Sequence, residues 1–284
     1  MKQILVISGK GGTGKTVLSA SFAALAKKCV VSDCDVDAAD LHLLLRPKIK
    51  QTEKFKSGKT AYIDENICIK CGKCINFCRF DAITKDFRID DVSCEGCAAC
   101  SYLCPVSAIK MRENESGECF VSDTDYGTMV HARLGIAEEN SGKLVSLVRK
   151  KSQEIAIAQQ CEFLIIDGPP GIGCPVIASL AAVDIAVVVT EPTISGLHDA
   201  KRVIELANHF KVPVNLVINK FDLNLEMSEK IENYCKDSNI KVLGKIGFDQ
   251  TFIKSLVEAK PIVECSYAKV KKDIVDIWQK LIYN

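Results

Sequence analysis

The stretch MKQILVISGKGGTGKT, residues 1–16, decides the fold. Its first part, QILVISG at residues 3–9, is an apolar run typical of a parallel strand that is buried on both faces. The segment GKGGTGKT at residues 9–16 fits the P-loop pattern, which lies between a strand and a helix. We therefore predict a nucleotide site in which backbone amides and a helix N-terminus surround phosphates.

Within this P-loop, Lys15 is predicted to reach the β- and γ-phosphates of the nucleotide, and Thr16 is predicted to hold Mg²⁺. The glycines allow the backbone to turn its amides inward. The predicted cofactor-binding residues of the loop are Gly9, Lys10, Gly11, Gly12, Thr13, Gly14, Lys15 and Thr16.

Strands alternate with helices along most of the remaining chain. Predicted helices cover residues 15–27 and 141–159, and further predicted strands are CVVSDCD (29–35), EFLIIDGPPG (162–171), DIAVVVTEP (184–192), VPVNLVINK (212–220) and KVLGKIG (241–247). This alternation predicts an α/β fold with a doubly wound parallel sheet. Residues 47–60 are polar and rich in lysine, and we predict a linker there.

Eight of the fifteen cysteines lie within residues 61–112, in two runs with the spacing C-x2-C-x2-C-x3-C. The first run, CIKCGKCINFCRFDAI, aligns with CEGCAACSYLCPVSAI at an offset of 26 residues, so the segment is an internal repeat. Thiolates are the soft ligands that iron–sulfur clusters require, whereas zinc sites usually show paired C-x2-C. We therefore predict two [4Fe–4S] clusters in an inserted α+β domain of the bacterial ferredoxin type.

In two-cluster ferredoxins, the fourth cysteine of each run ligates the other cluster. That rule predicts Cys68, Cys71, Cys74 and Cys104 as ligands of cluster 1, and Cys94, Cys97, Cys100 and Cys78 as ligands of cluster 2. The runs differ after the fourth cysteine, where Arg79 stands opposite Pro105. The predicted domains are residues 1–58 and 114–284 for the P-loop ATPase and residues 59–113 for the insert.

The motif Lys-Gly-Gly-x-Gly-Lys-Thr at residues 10–16 resembles the deviant Walker A motif of the MinD superfamily, which includes the nitrogenase iron protein and Mrp-type carriers. The resemblance implies that Lys10 reaches the nucleotide of a partner subunit in an ATP-sandwiched homodimer, or in a heterodimer with a paralogue. It also implies that Asp35, in VSDCDVDAAD, orients the attacking water and that Asp33 lies near Mg²⁺. An inserted two-cluster ferredoxin domain in this superfamily is typical of anaerobes.

Two later segments complete the predicted nucleotide site. LIIDGPPG at residues 164–171 resembles a Walker B strand, so Asp167 is expected to reach Mg²⁺ through water. In VINKFD, residues 217–222, the resemblance makes Asn219 a contact of the base, with Lys220 beside it. The same Asn-Lys-x-Asp pattern is typical of guanine-selective sites, in which Asp222 would pair with guanine; otherwise it would cap the next helix. The overall resemblance favours ATP over GTP.

The bulk composition limits the partners and the compartment. The formal net charge is +1, which argues against a nucleic-acid partner. No run of 18 uncharged apolar residues exists, so stable membrane insertion is not expected. The N-terminal strand enters the P-loop without a signal peptide, and we therefore predict a cytoplasmic protein whose thiolates serve metal.

Three classes of function remain open. The first is an ATPase that couples dimer switching to electron transfer through its two clusters to a protein acceptor. The second is a carrier or assembly ATPase for iron–sulfur or metal cofactors, for which Cys174, in DGPPGIGCPV, is the main reason. The third is a MinD-like positioning ATPase with redox-sensing clusters. The saturated set of eight ligands favours the first, and the mixed Lys and Asp face of the C-terminal helix argues against the third.

Overall fold

A computed structural model of the chain describes residues 1–135 and 140–283. Within them, the strands are β1 (Lys2–Ser8), β2 (Cys29–Asp33), β3 (Lys48–Ile63), β4 (Ile109–Thr124), β5 (Gly127–Leu134), β6 (Phe163–Pro170), β7 (Ile185–Thr190), β8 (Val214–Asn219) and β9 (Lys241–Ile246). The helices are α1 (Lys15–Ala26), α2 (Leu41–Leu45), α3 (Lys73–Phe77), α4 (Ala99–Leu103), α5 (Ser141–Ala158), α6 (Cys174–Leu180), α7 (Ile194–His209), α8 (Leu225–Asp237), α9 (Thr251–Glu258) and α10 (Lys271–Ile282).

The strands form one sheet in the order β3-β4-β5-β2-β6-β1-β7-β8-β9. From β5 to β9 every neighbouring pair is parallel, which confirms the predicted parallel α/β sheet. Strand β1 pairs with β6 on one side and β7 on the other, and its residues Ile4–Ile7 are fully buried. This central position explains why the first strand of the sequence is apolar without alternation.

The chain divides into two compact units. Unit 1 comprises residues 1–53, 119–133 and 141–284, and unit 2 comprises residues 54–118 and 134–140. Unit 1 contains the P-loop and a large apolar core in which Phe22 of α1 contacts Trp278 of α10, with ring centroids 5.2 Å apart. Unit 2 contains both cysteine runs and a small core of Ala61, Ile63, Cys74, Ile83 and Ile109.

The internal repeat is visible in the backbone of unit 2. Helices α3 and α4 start 26 residues apart and have equal length. Left-handed residues occur at the same offset, in the pairs Lys70 and Gly96, Gly72 and Ala98, and Asp81 and Ser107. The two halves therefore share one local conformation, as the aligned cysteine runs predict.

Residues 47–60 do not form the predicted linker, because Lys48–Ile63 is the 16-residue strand β3. Its first seven residues are exposed, and buried positions appear only from Phe55 onward. Such a polar segment can still be a strand, since its backbone pairs with the neighbouring β4, which is equally long. The ladder of backbone hydrogen bonds does not require an apolar pattern.

His131 lies on a regular strand. Residues Gly127–Leu134 form β5, next to β2 in the sheet. The ring of His131 stacks on Phe120 and hydrogen-bonds to the Ser122 hydroxyl at 2.9 Å. Burial lowers the pKa of His131 to about 4, so this histidine is neutral and structural. Glu138 and Glu139, which follow β5 in the sequence, lie outside the described residues.

The C-terminal helix α10 packs its apolar side into the core of unit 1. Ile274, Ile277, Trp278 and Leu281 are each at most 5% exposed. That burial removes the apolar face that a membrane-binding helix would need. In the part of the chain that the structure describes, no helix is both long and apolar enough to cross a membrane.

Candidate functional site

The P-loop turns through two left-handed glycines before α1 begins at Lys15. Gly12 has φ +78° and Gly14 has φ +91°, conformations that residues with a side chain rarely adopt. At Gly14 a Cβ atom would also lie 2.4 Å from the Asn219 Nδ2 atom. Gly9 has a different role, because a Cβ there would overlap Asp199 of α7. Gly9 is therefore required for close packing behind the loop, beside its predicted part in binding.

We predict that Gly14→Ala weakens ATP binding at least about tenfold, because the added methyl group combines left-handed strain with the clash against Asn219. Titration with a fluorescent ATP analogue measures the affinity. Gly173→Ala is the matched control, since its φ is −73° and its Cβ would meet only an atom at 3.6 Å. Equal affinities for the two variants would contradict this explanation.

Three aspartates surround the buried ammonium group of Lys15. The Lys15 Nζ atom lies 2.7 Å from Asp35 Oδ2 and 4.0 Å from Asp167 Oδ2. Asp33 lies opposite Asp167 in the pairing of β2 with β6, and its Oδ1 atom accepts the backbone N–H of Asp35 at 3.2 Å. The structure thus brings together four residues that the sequence analysis assigned to one site.

The charges of this group are unbalanced. Burial alone would lower the pKa of Lys15, but Asp167 and Asp35 outweigh it and raise that pKa. Burial, assisted by the charge of Asp167, raises the pKa of Asp33 well above its usual range. Burial also raises the pKa of Asp167, although Lys15 and hydrogen bonds from Thr16 and Ser19 oppose it. One lysine therefore faces three carboxyl groups, and a divalent cation would restore the balance.

Unpaired polar atoms mark where such an ion and the phosphates would fit. Among the described residues, Asp33 Oδ2, Asp167 Oδ2 and Thr13 Oγ1 are buried and have no hydrogen-bond partner. Buried polar atoms without partners are rare in native proteins. Oxygen ligands of this kind are those that Mg²⁺ prefers. The residues present therefore fit Mg²⁺ and a phosphate chain, with Thr16 and Asp167 as the predicted holders of the metal.

Ser19 is a part of this site that the sequence analysis missed. Its hydroxyl donates to Asp167 Oδ1 at 2.9 Å and fixes the orientation of that carboxylate. Ser19 lies one helical turn after Lys15 on α1, so it faces the same side of the helix. The available signal is a polar residue four positions after the P-loop lysine, on the same side of a mostly apolar helix.

The predicted base-contacting residues lie at the mouth of the P-loop. Asn219 is buried, and its Nδ2 atom donates to the Thr13 carbonyl at 2.8 Å. Lys220 pairs with Glu191 at 2.5 Å, and Lys10 Nζ lies 3.8 Å from the same carboxylate. Asn219 thus supports the loop directly, and its contact with a base stays a prediction. Lys10 faces Glu191 in this chain, and its contact with the nucleotide of a partner stays a prediction.

A cavity beside the P-loop extends to residues that the sequence analysis did not single out. It is lined by Gly11, Gly12, Gly14, Lys15, Thr16, Val17, Asp35, Ala38, Asp40, Pro170, Asn219, Lys220, Phe248, Asp249, Gln250, Phe252, Ile253 and Leu256. The apolar members after β9 are unusually exposed, with Phe248 50% and Ile253 67% accessible. Exposed aromatic and aliphatic side chains after a parallel strand suit a planar base, since ligands bind at the carboxyl ends of such strands.

Asp222 supports this apolar wall and does not cap the helix that follows it. Its Oδ1 atom accepts the backbone N–H of Phe248 at 2.7 Å, whereas the N-cap of α8 is Asn224, which accepts from Met227 N–H. The alternative of Asp222 as a helix cap is therefore wrong. The carboxylate holds the turn that carries Phe248, which is a structural reason for the Asn-Lys-x-Asp pattern.

We predict that Asp222→Ala weakens ATP and GTP binding equally, by about fivefold, since one exposed hydrogen bond to the Phe248 turn contributes about 1 kcal/mol. Competition of each nucleotide against a fluorescent ATP analogue measures the ratio of the two affinities. If Asp222 read guanine instead, GTP binding alone would collapse in this variant. Asp222→Asn, which keeps an acceptor oxygen, should remain close to the native protein.

The eight repeat cysteines line two separate cavities in unit 2. Cavity 1 contains Cys68, Cys71, Cys74 and Cys104, and cavity 2 contains Cys78, Cys94, Cys97 and Cys100. Each cavity thus receives three cysteines of one run and the fourth cysteine of the other. These are the crossed sets of four cysteines expected from the sequence, and the fold of unit 2 places each set around one cavity.

The thiols of each cavity do not form a site for a single metal ion among the described residues. No group of three or more His, Cys, Asp or Glu residues converges on one ion position in the described ranges 1–135 and 140–283. In a cubane each thiolate binds a different iron, so convergence on one point is not required. Burial raises the pKa of Cys104, but hydrogen bonds from backbone amides, those of Val106 and Ala108 among them, outweigh it and lower the pKa from its usual value. The Ala108 N–H lies 3.2 Å from its sulfur.

Two cysteines outside the repeat, Cys174 and Cys34, lie close to the predicted nucleotide-site aspartates in the sequence. Cys174 is exposed and begins α6, directly after the glycine-rich turn that follows Asp167. Gly142 of α5 packs against it, because a Cβ at Gly142 would lie 3.2 Å from Cys174 Cβ. Cys34 is fully buried, and burial raises its pKa to about 12, so its thiol is protonated and poorly reactive.

Comparisons with known proteins agree with this architecture. Residues 4–262 match the family described as the CobQ/CobB/MinD/ParA nucleotide binding domain. An uncharacterized protein of Methanocaldococcus jannaschii is 36% identical over 98% of this chain and 96% of its own length. The septum site-determining protein MinD of Bacillus subtilis is 26% identical, covering 91% of this chain and 81% of MinD.

Solved structures show the same fold, and a shorter relative matches part of the chain. MinD of Pyrococcus horikoshii complexed with Mg-ADP superposes with a TM-score of 0.62 at 17% identity, over 99% of this chain and 96% of that one. The pyruvate synthase subunit PorD of Methanothermobacter marburgensis is 40% identical over 68 residues, which is 22% of this chain and 84% of PorD.

Proposed function

Because the chain belongs to the CobQ/CobB/MinD/ParA family of nucleotide-binding domains, we propose that it is a Mg²⁺-dependent ATPase that carries two [4Fe–4S] clusters and uses ATP to time electron transfer to a protein acceptor. The observation that carries this proposal is the coexistence of two sites in one chain. Unit 1 holds the Lys15 and aspartate group, and unit 2 holds two cavities with four cysteines each.

The nucleotide half of the proposal rests on the charges around Lys15. The phosphates of ATP would take the place of Asp35 as the partner of Lys15 Nζ, which now lies 2.7 Å from that carboxylate. Asp35 is then free to orient a water molecule for attack on the γ-phosphate. Bound Mg²⁺ would neutralise charge on the phosphates, and Thr16 and Asp167 would hold it. MinD of Pyrococcus horikoshii, which binds Mg-ADP, supports this assignment.

The redox half rests on the saturated ligand sets. The bound clusters would supply one-electron redox chemistry, and four thiols in each cavity leave no iron for an outside ligand. Such fully ligated centres are stable, which favours electron transfer over transfer of the clusters themselves. The match to the pyruvate synthase subunit PorD over 68 residues is a further reason to test the chain for iron and sulfide.

Chain order offers a route between the two activities. Asp35 lies thirteen residues before β3, with α2 between them, and β3 begins in unit 1 and ends in unit 2. A nucleotide-driven movement near Asp35 would therefore act on a segment that continues into the cysteine unit. In the proposed homodimer, Lys10 would leave Glu191 and reach the nucleotide of the second copy.

The alternative of a carrier or assembly ATPase keeps one supporting observation, the exposed Cys174 seven residues after Asp167. The two proposals are separated by mixing the reduced protein and ATP with candidate acceptor proteins encoded near it. We expect cluster oxidation that requires ATP hydrolysis, with iron and sulfide retained on the chain. Loss of iron and sulfide to an apo acceptor would instead support the carrier.

A further inference from the structure

The two cysteine cavities differ in charge, although the repeat gives them the same backbone. Cavity 1 is lined by two lysines, Lys70 and Lys73, and has no acidic residue in its lining. The positions 26 residues later, Gly96 and Ala99, are uncharged and line cavity 2. The charges that line cavity 2 are those of Arg79 and Glu95, which cancel.

Lys70 has a left-handed backbone conformation, which indicates that its side chain has a function beyond folding. Lys70 has φ +55°, a left-handed conformation that costs about 1 kcal/mol for a residue with a Cβ. The repeat partner Gly96, at φ +62°, adopts the same conformation without that cost. No residue with a side chain fits in place of Gly96, because a Cβ there would lie 2.1 Å from the Lys59 carbonyl oxygen. Lys70 therefore carries a backbone strain that a glycine would avoid, and the stability of the fold gives no reason for a lysine there.

Both lysines are available to a partner. Lys70 and Lys73 are exposed, and neither forms an ion pair within the described residues. Between them lies the exposed ligand Cys71, and next to Lys70 is Ile69, which is 61% accessible. This surface combines two unpaired cations, an apolar side chain and an exposed ligand of the proposed cluster 1.

We propose that Lys70 and Lys73 form a cationic rim over cluster 1 that receives an acidic one-electron carrier protein, so that cluster 1 is the site of electron exchange. This inference rests on the proposed clusters. Complementary charge steers association and fixes orientation, and it brings the carrier to Cys71, an exposed ligand of the proposed cluster 1.

The same cations determine the direction of electron flow inside the chain. A positive charge near a cluster stabilises its reduced form, so Lys70 and Lys73 raise the reduction potential of cluster 1 relative to cluster 2. An electron that enters at cluster 2 then moves to cluster 1. From there one electron passes to the oxidised carrier, which is reduced as cluster 1 is oxidised.

Two inorganic oxidants of opposite charge test the rim on the intact holoprotein. The anion hexacyanoferrate(III) and the cation hexaamminecobalt(III) each accept one electron, and stopped-flow absorbance follows oxidation of the reduced clusters. The variant Lys70→Gln/Lys73→Gln removes two positive charges from the rim. Lys85→Glu changes the net charge by the same amount at an exposed lysine of unit 2 that lines neither cavity.

We expect the double variant to react about tenfold more slowly with hexacyanoferrate(III), to react faster with hexaamminecobalt(III), and to lose most of its dependence on salt. Lys85→Glu should stay close to the native protein. In redox titrations followed by EPR, the potential of one cluster should fall in the double variant and that of the other should not change.

Iron and sulfide counts separate failure of this inference from failure of the proposed function. If both variants carry full clusters and have equal rates and potentials, the rim proposal is overturned while the clusters stand. If the native protein binds no iron–sulfur clusters under anaerobic reconstitution, the redox half of the proposed function is itself wrong, and the rim has no cluster to serve.

Discussion

Lys15→Gln is expected to lower the kcat of ATP hydrolysis about 10²–10³-fold, the loss typical of removing one charge that stabilises a transition state. The ammonium group lies within 4.0 Å of two aspartates, and Lys15 is the first residue of α1. Among the residues that line the cavity beside the P-loop, the only cations that could meet the γ-phosphate are Lys15 and Lys220. A coupled phosphate assay under anaerobic conditions measures kcat.

The variant must still be folded for this result to count, since removing Lys15 leaves buried carboxylates unpaired. Lys15→Arg keeps the charge, and we expect it to be folded but still at least tenfold slower, because its planar group does not fit the same position. Lys150→Gln, on the exposed side of α5, is the matched surface control and should hydrolyse ATP normally. Native-like hydrolysis by folded Lys15→Gln would contradict the assigned role.

Paired cysteine substitutions should remove one cluster or both, depending on which thiols share a cavity. Cys71 and Cys104 line cavity 1, whereas Cys78 lines cavity 2. We expect Cys71→Ala/Cys104→Ala to keep one intact cluster, with about four irons per chain. Cys71→Ala/Cys78→Ala damages both cavities and should retain no intact [4Fe–4S] cluster. Iron and sulfide analysis, with EPR of the reduced protein, measures the outcome.

The two double variants are matched controls for each other, because each removes two thiols and changes no charge in the rest of the chain. If each run of four cysteines bound its own cluster, the results would be reversed, and Cys71→Ala/Cys78→Ala would keep the intact cluster. That reversal would refute the crossed ligand sets.

The centre of the fold could be predicted because its information is local. The apolar run at the N-terminus became β1, the P-loop follows it, and the predicted helix at residues 15–27 is α1, Lys15–Ala26. Asp33 and Asp167 could be predicted to lie together because the carboxyl ends of parallel strands meet at one edge of a sheet, and β2 pairs with β6. Each of these inferences needs only short segments and one general rule.

The missed features depend on contacts between distant segments. Strand β3 is polar in its first half and owes its conformation to the neighbouring β4, which no local pattern reveals. Phe248 and Ile253 reach the nucleotide cavity from the far end of the chain, and the hydrogen bond from Phe248 to Asp222 gave Asp222 a role outside both expected ones. Ser19 required knowledge of where the Asp167 carboxylate lies.

The most direct test of the account is an anaerobic redox titration, followed by EPR, of the native protein with MgATP and with MgADP. We predict that MgATP changes the midpoint potential or the signal of at least one cluster relative to MgADP. Lys15→Gln should show no such difference, although its clusters are intact. Identical titrations of the native protein with the two nucleotides would contradict coupling between the ATPase and the clusters.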